Sequence, residues 1–277
     1  MRGYACRYLD IDLSTEQIIQ VKFTEDILRS FICGRGLAAR ILWDRLGEKW
    51  DRVDPFAPEN VLTIFTGPLT GFFPGARVCV SGKSPQSNGM VGSTVGGEFG
   101  VDLKCAGYDG VIVTGRASRP CYISILEDQV TVKDARHVWG KDGKQTLKVL
   151  TEEGRKALKA DFPEYGELKE PQVLYIGPAG ESQTRIAAAM EKWSHSAGYG
   201  GYGGVMGSKN LKAVVTKGLG PLPEVEDIEK VGDLISQADK ECYKAGSFRT
   251  WGTGAGGYNT GAKTSSEPVR NWQDELH

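Results

Sequence analysis

Two glycine clusters are the places where this sequence could do chemistry. The first reads Thr94-Val95-Gly96-Gly97-Glu98-Phe99-Gly100 and precedes VDLKCAG. The second packs five glycines between Gly198 and Gly204 and precedes VMGSKNLKA. Glycine loses more backbone freedom on folding than any other residue, so such runs stay ordered only where bare backbone is needed. A tight turn, a close helix contact or a ligand lying on the chain would each need it. A phosphate-type anion on the backbone N–H groups at the start of each following helix fits both clusters. Arg77 is the natural cation for such a phosphate, because its planar fork binds bidentately. A surface charge on an edge strand is the plain alternative for that arginine. His195 lies beside the second cluster, whereas His137 has no paired ligand in the sequence. Neither a Ser-His-Asp context nor an HExxH motif is present.

The run from Gly198 to Gly203 also matches G-x-G-x-x-G. A dinucleotide fold needs a strand directly before it, a helix directly after, and an acidic residue about twenty positions on. Here polar EKWSHS precedes the run, and PLPEVED, a loop and helix start, lies at that distance. The context argues against NAD.

Composition narrows the field further. The chain has 277 residues, 40% apolar and 25% charged, with a net charge of -1. That balance leaves no broad nucleic-acid footprint. The 37 glycines are not periodic, which excludes collagen. No apolar run approaches the length of a membrane span. The start, MRGYACRYLDIDLS, is too polar for a signal peptide. Six cysteines are scattered singly with no CxxC pair, so a disulfide framework is not expected. A reducing cytoplasmic setting is the expectation, with the cysteines as small core residues.

Several elements must position the clusters. YLDIDLS alternates as a strand does, and VLTIF, VCVSG, GVIVTG, CYISILE and VTVKDA read as short strands. QVLYIGPAG, RIAAAM and LKAVVTKG bring strands back later. TEDILRSFICGRGLAARILWDRLG has helical spacing with Thr24 as N-cap, interrupted near Gly34 and Gly36 into two pieces. VDPFAPEN is a connector. GKDGKQTLKVLTEEGRKALKADF is an amphipathic surface helix. EVEDIEKVGDLISQADKECYKAG is helical and is followed by the Gly/Thr/Ser-rich GTGAGGYNTGAKTSS.

An internal similarity organises these pieces. VLTIFTGPLTG, ARVCVSGKS and VGGEFGVDLKCAGYDGVIVTG form one block. VLYIGPAGE, TRIAAAMEK and YGGYGGVMGSKNLKAVVTKG form another. Each runs strand, Gly-Pro turn, strand, glycine cluster, short helix, strand, and Arg77 and Arg185 take the same place. The order predicts a duplicated α+β domain over 1–215, with its glycine clusters facing one site across an approximate two-fold axis. Residues 216–277 begin a different, helical character.

GRGLAARILWDRL, DPFAPENVLTIFTGPLTG, VGGEFGVDLKCAGYDGVIVTG, VLYIGPAGE and SAGYGGYGGVMGSKNLKAVVTKG together resemble the tungsten-containing aldehyde:ferredoxin oxidoreductases. The similarity runs to about Gly218 and can be followed through WGTGAGGYNTGAKTSSEPVRNWQ. It implies an α+β fold: duplicated strand-helix-strand units forming a two-sheet cofactor-binding base, then the truncated start of a helical middle domain. On that base would lie a tungstopterin: two molybdopterins chelating one tungsten or molybdenum, with magnesium bridging their phosphates. Arg77 falls on the family's phosphate-contacting arginine. Thr94 and Ser196 fall on the positions whose backbone carbonyls bind magnesium. Gly96 and Gly198 match glycines whose backbone touches a pterin, and Val95 and Ala197 complete the two binding segments. His195 stands where the family commonly has a second arginine, and Tyr199 replaces a basic residue.

The resemblance also implies what lies elsewhere. The cysteines of a [4Fe–4S] cluster begin just beyond the end of this sequence, and the family's proposed acid/base residues lie in the later helical domains, so the catalytic residues are unknown here. The chain is then expected to be a fragment or one product of a split gene, silent alone. The activity implied is oxidation of an aldehyde to a carboxylic acid, with electrons passing to ferredoxin. An aromatic acyl-CoA reductase subunit, or a scaffold that lost its cofactor, are the alternatives. Expected partners are an aldehyde or acyl substrate, ferredoxin or an iron–sulfur subunit, the C-terminal domains, and a second copy in a homo-oligomer. Nucleic acid and membrane are not among them.

Overall fold

The computed structural model describes residues 1–73, 77–244 and 246–252, with Arg270 and Gln273. Alternation sets β1 (Arg7–Asp12), where Leu9 and Ile11 are fully buried and the residues between them are not. β2 (Gln17–Lys22) returns antiparallel beside it. The helical run that follows breaks in two, as its glycines suggest. α1 (Glu25–Phe31) is capped by the Thr24 hydroxyl, which accepts from Ile27 N. Ile32 and Cys33 then take left-handed φ values of 55° and 59°. α2 (Gly34–Leu46) restarts so close that a Cβ on Gly36 would stand 2.3 Å from Phe31 O.

β3 (Leu62–Phe65), β4 (Val78–Lys83), β5 (Met90–Val95), α3 (Phe99–Cys105) and β6 (Gly110–Thr114) complete the first half. The second half runs β7 (Cys121–Leu126), β8 (Gln129–Asp134), α4 (Gly143–Asp161), β9 (Gln172–Tyr175), α5 (Pro178–Glu181), β10 (Ala189–Glu191), β11 (His195–Ala197), α6 (Tyr202–Ser208) and β12 (Leu211–Lys217). The Asp142 carboxylate caps α4 by accepting from Gln145 N.

The strands form two six-stranded sheets, β2-β1-β6-β3-β4-β5 and β11-β10-β9-β12-β7-β8. Their connectivity is the same. β1 and β6 are parallel, as are β7 and β12, and every other pair is antiparallel. The duplication is therefore larger than the sequence blocks: it includes a leading hairpin and a long helix in each half. α2 packs outside the first sheet with Leu37, Ala38, Ile41 and Leu42 on Phe65 and Ile112. α4 covers the second through Leu150, on Tyr122, Val173 and Val215. The largest core cluster joins the two sheets with α3 and α6. The short helices cross over: α3 packs on β9 and β12, and α6 reaches β3 and β4.

RIAAAM is only partly a strand. Pairing starts at Ala189; Arg185 and Ile186 form a turn instead, and Ala187 and Ala188 are irregular. The first compact unit is Met1–Glu226. Residues 216–226 belong with it: Leu219 N donates to Glu127 Oε2, and Gly3 N donates to Glu224 O. The second unit, Asp227–His277, contains α7 (Ile228–Cys242), capped by the Asp227 carboxylate, and α8 (Ser247–Trp251). Residues 253–266, most of the Gly/Thr/Ser-rich stretch, lie outside the described residues. Among the described residues no helix is long and apolar enough to cross a membrane.

Candidate functional site

β5 and β11 are the outer strands of their sheets, and they lie against each other. An edge strand presents backbone N–H and C=O groups with no strand partner. The strand registers show how the two expected segments correspond. Thr94 is opposite Cys79, and the next residue of β4, Val80, is opposite Ile64. Ser196 is opposite Met190, and the next residue of β10, Glu191, is opposite Leu174. Thr94-Val95-Gly96 and Ser196-Ala197-Gly198 are thus the same three positions in the two copies. Arg185 is not the counterpart of Arg77. The register puts Ala188 there, and Arg185 instead donates to Pro85 O at 2.9 Å. Arg77 itself is exposed, and its side chain makes no hydrogen bond or ion pair with another described residue.

The glycines divide into two kinds. Gly201, Gly203, Gly204 and Gly207 are packing residues. A Cβ on them would stand 2.0 Å from Arg185 O, 2.4 Å from Ala188 O, 2.8 Å from Thr184 O and 1.9 Å from Gly180 O. They let α6 touch the backbone of α5 and the following turn, and Gly203 and Gly204 lie inside the helix rather than in a loop before it. Gly100 likewise lies inside α3, against Val78 and Thr70. Gly96 and Gly198 differ. The nearest atom to a Cβ on Gly96 is His195 Cγ at 4.0 Å, and for Gly198 it is Ser196 Oγ at 3.3 Å. Neither has a positive φ. Turn geometry and packing therefore leave these two unexplained, and they front open space on the joined edges.

Side chains across the two halves hold the segments in place. Tyr199 N donates to Ser93 Oγ at 3.1 Å, Gly200 N donates to Gln86 Oε1 at 2.9 Å, and Ser84 Oγ donates to Gly200 O at 2.8 Å. The buried Tyr202 hydroxyl donates to Gly82 O at 3.1 Å. Glu98 accepts from Lys169 at 2.7 Å and Lys192 at 3.0 Å, which holds its carboxyl below the usual range.

Glu191 is the residue that sequence reasoning missed. It is fully buried, and its Oε1 accepts from Glu98 N at 2.7 Å and Phe99 N at 2.8 Å, at the start of α3 in the other half. Gly97, at φ 104°, leaves room for it: a Cβ there would stand 2.2 Å from Oε1. The other oxygen, Oε2, is buried with no hydrogen-bond partner, and so is His195 Nδ1. An acidic residue in the predicted strand RIAAAME was the one available signal. His137 is a surface residue paired with Glu153 at 2.7 Å.

Burial raises the Glu191 acid to about 7, against the lowering effect of its two N–H donors. An acid whose pKa is raised by folding stabilises the native state fully below its unfolded pKa, and this is lost as pH rises through the folded value. The apo-protein is therefore expected to lose up to about 3 kcal/mol between about pH 4.5 and 7. Glu191→Gln should flatten that slope in denaturant titrations at several pH values. An unchanged slope would place the titrating group elsewhere.

Residues 8–218 match the family model of the aldehyde ferredoxin oxidoreductase N-terminal domain. The chain belongs to this family of tungsten oxidoreductases. Among its relatives is the WOR-like subunit of an aliphatic sulfonate oxidoreductase from Pyrococcus furiosus, 50% identical over the whole chain and 44% of that protein. A tungsten-containing aldehyde ferredoxin oxidoreductase from Pyrococcus abyssi is 38% identical over 91% of the chain and 40% of that protein. In structure the chain is similar to the BamBC active-site complex of benzoyl-coenzyme A reductase with 1,5-dienoyl-CoA. The TM-score is 0.76 at 33% identity, over 87% of this chain and 35% of that one. The chain thus spans less than half the length of each of these proteins.

The site's own features fit a large planar ligand bearing phosphates. Two glycines front open space on the joined edges, and two buried polar atoms beside them lack partners. Among the described residues no group of three His, Cys, Asp or Glu side chains is placed to hold a metal.

Proposed function

We propose that the joined edges of the two sheets seat a tungsten bis-pterin cofactor, and that the protein oxidises an aldehyde to a carboxylic acid. The observation that carries the reading is the pair Gly96 and Gly198. They occupy equivalent positions in the two copies, and neither packing nor φ requires a glycine at either. Bare backbone at both lets a flat ring lie against each edge. Thr94 and Ser196 would each offer a carbonyl oxygen to magnesium, and Arg77 a guanidinium to phosphate. When bound, the cofactor supplies a metal that accepts two electrons as aldehyde and water become acid and two protons. The chain's share is to orient that group and shield one side of it. Ferredoxin or an iron–sulfur subunit would then take the electrons.

A second reading changes the substrate and keeps the seat. The 50% identity to the sulfonate oxidoreductase subunit exceeds the 38% to the aldehyde enzyme, which favours an aliphatic sulfonate. Tungsten and pterin analysis of the full natural chain tests the seat. Dye reduction with an aldehyde against an alkanesulfonate then separates the substrates. Purified protein with neither tungsten nor pterin would overturn the seat.

Arg77→Ala is expected to weaken cofactor retention by about 10- to 150-fold, the loss of one charge-assisted hydrogen bond. Because Arg77 is exposed and free of side-chain partners among the described residues, the apo melting temperature should stay unchanged. Full pterin occupancy in the variant would remove Arg77 from the seat.

A further inference from the structure

The turn between β4 and β5 runs from Ser84 to Gly89, whereas the matching turn between β10 and β11 has only Lys192, Trp193 and Ser194. The longer turn is built to keep one shape. The buried Ser84 hydroxyl accepts from Gln86 N at 3.2 Å and from Ser87 N at 3.1 Å, and Ser84 N donates to Gly89 O at 2.9 Å. The same hydroxyl donates to Gly200 O at 2.8 Å, so its one donor and two acceptor positions are all used.

Each residue of Ser84-Pro85-Gln86 grips the second glycine cluster or the turn beside it. Gln86 Oε1 accepts from Gly200 N at 2.9 Å, so both backbone groups of Gly200 are held by side chains of the first half. Pro85 O accepts from Arg185 at 2.9 Å, and the Pro85 ring lies against Gly201, where a Cβ would stand 2.9 Å from its Cγ. On the strand that follows, Ser93 Oγ accepts from Tyr199 N at 3.1 Å, and Val91 N donates to the Tyr202 hydroxyl at 3.2 Å. Tyr199 to Tyr202 are therefore fixed one after another by a single hairpin of the other half. Ser93 precedes Thr94 and Tyr199 follows Gly198, so their hydrogen bond ties the two segments of the joined edges directly.

Packing does not call for the glutamine. Gln86 is exposed and belongs to no core cluster, and the shorter turn of the second half has no residue in its place. We propose that Gln86 is a positioning residue for the cofactor seat, which through Gly200 sets the place of Gly198 relative to Gly96. It touches no ligand. A glycine run left unpaired samples many conformations, and a ligand that had to order it would bind less tightly. The hairpin orders the run in the apo-protein, before any ligand arrives. The inference rests on the seat proposed above.

The test uses the full natural chain, purified with its cofactor. It reads pterin and tungsten per chain after dialysis, amide hydrogen exchange over 198–204 in the apo form, and the apo melting temperature. Gln86→Leu removes the acceptor at similar length. It is expected to retain cofactor about fivefold less well and to exchange about fivefold faster over 198–204, the effect of one lost neutral hydrogen bond. Its apo melting temperature should stay unchanged, because the side chain is exposed. Gln86→Glu keeps an acceptor for Gly200 N and should match the wild type in all three readings. Full retention in Gln86→Leu would overturn the positioning role, as would unchanged exchange over 198–204. A retention loss accompanied by a lower apo melting temperature would overturn it too, leaving Gln86 a residue of general stability. Loss of cofactor from Gln86→Glu would show that the hydrogen bond to Gly200 is not what matters. Wild-type protein that holds no pterin would overturn the seat and this role together, an outcome that needs no variant and is thereby distinct from the others.

Discussion

Gly207→Ala is expected to lower the melting temperature of the apo-protein by about 10 °C or more. The added Cβ would stand 1.9 Å from Gly180 O and 2.6 Å from Gly180 C, inside the backbone of α5. Relief by sliding α6 is blocked on the same face, where Gly203 and Gly204 already touch Ala188 O and Thr184 O. Overpacking of flexible side chains costs about 1–3 kcal/mol, and a backbone collision exceeds that range. Against a total stability of about 5–15 kcal/mol, a loss of about 4 kcal/mol is a large fraction. Thermal unfolding followed by circular dichroism reads the effect. A variant melting within a few degrees of the wild type would show that α5 and α6 are not locked together.

Gly198→Val and Gly96→Val should behave in the opposite way. The apo melting temperature is expected to change little, because neither glycine has a positive φ and neither Cβ would meet backbone of the chain. Cofactor retention should fall by at least about 100-fold, since a branched side chain would fill the space a pterin ring needs. That is the scale of one lost ligand contact plus a steric clash. Alanine at either place adds less bulk and should give an intermediate loss. Pterin fluorescence and tungsten content per chain measure retention. Valine variants that load fully would remove these glycines from the seat, and a collapse of apo stability equal to that of Gly207→Ala would return them to packing.

The contrast between these glycines marks where sequence reading ran out. Gly198 and Gly207 stand nine residues apart in one glycine-rich stretch and look alike in the sequence. Only the approach of α5, residues away in the chain and adjacent in space, separates them. The same holds for Arg77 and Arg185. Their place after a Gly-Pro turn suggested equivalence, but Arg185 lies three residues before Ala188, the register counterpart of Arg77, and is turned to Pro85 O. Glu191 was legible only as an acidic residue ending a strand. Its hydrogen bonds reach residues of the other half, and no local spacing encodes them.

What the sequence determined by itself is what arises from neighbours along the chain. Alternation located β1, short apolar runs located β3, β4, β6, β7 and β12, and the side chains of Thr24, Asp142 and Asp227 start their helices through bonds to backbone three residues on. The order of turn, cluster, helix and strand exposed the later part of the duplication. Its earlier part, the paired hairpins and long helices, stayed hidden because their residues face different surroundings and share shape rather than identity. Tertiary structure decided which edges meet, which glycines face open space and which buried atoms lack partners. Those are properties of long-range approach between two packed sheets, and hydrophobic periodicity carries no information about them.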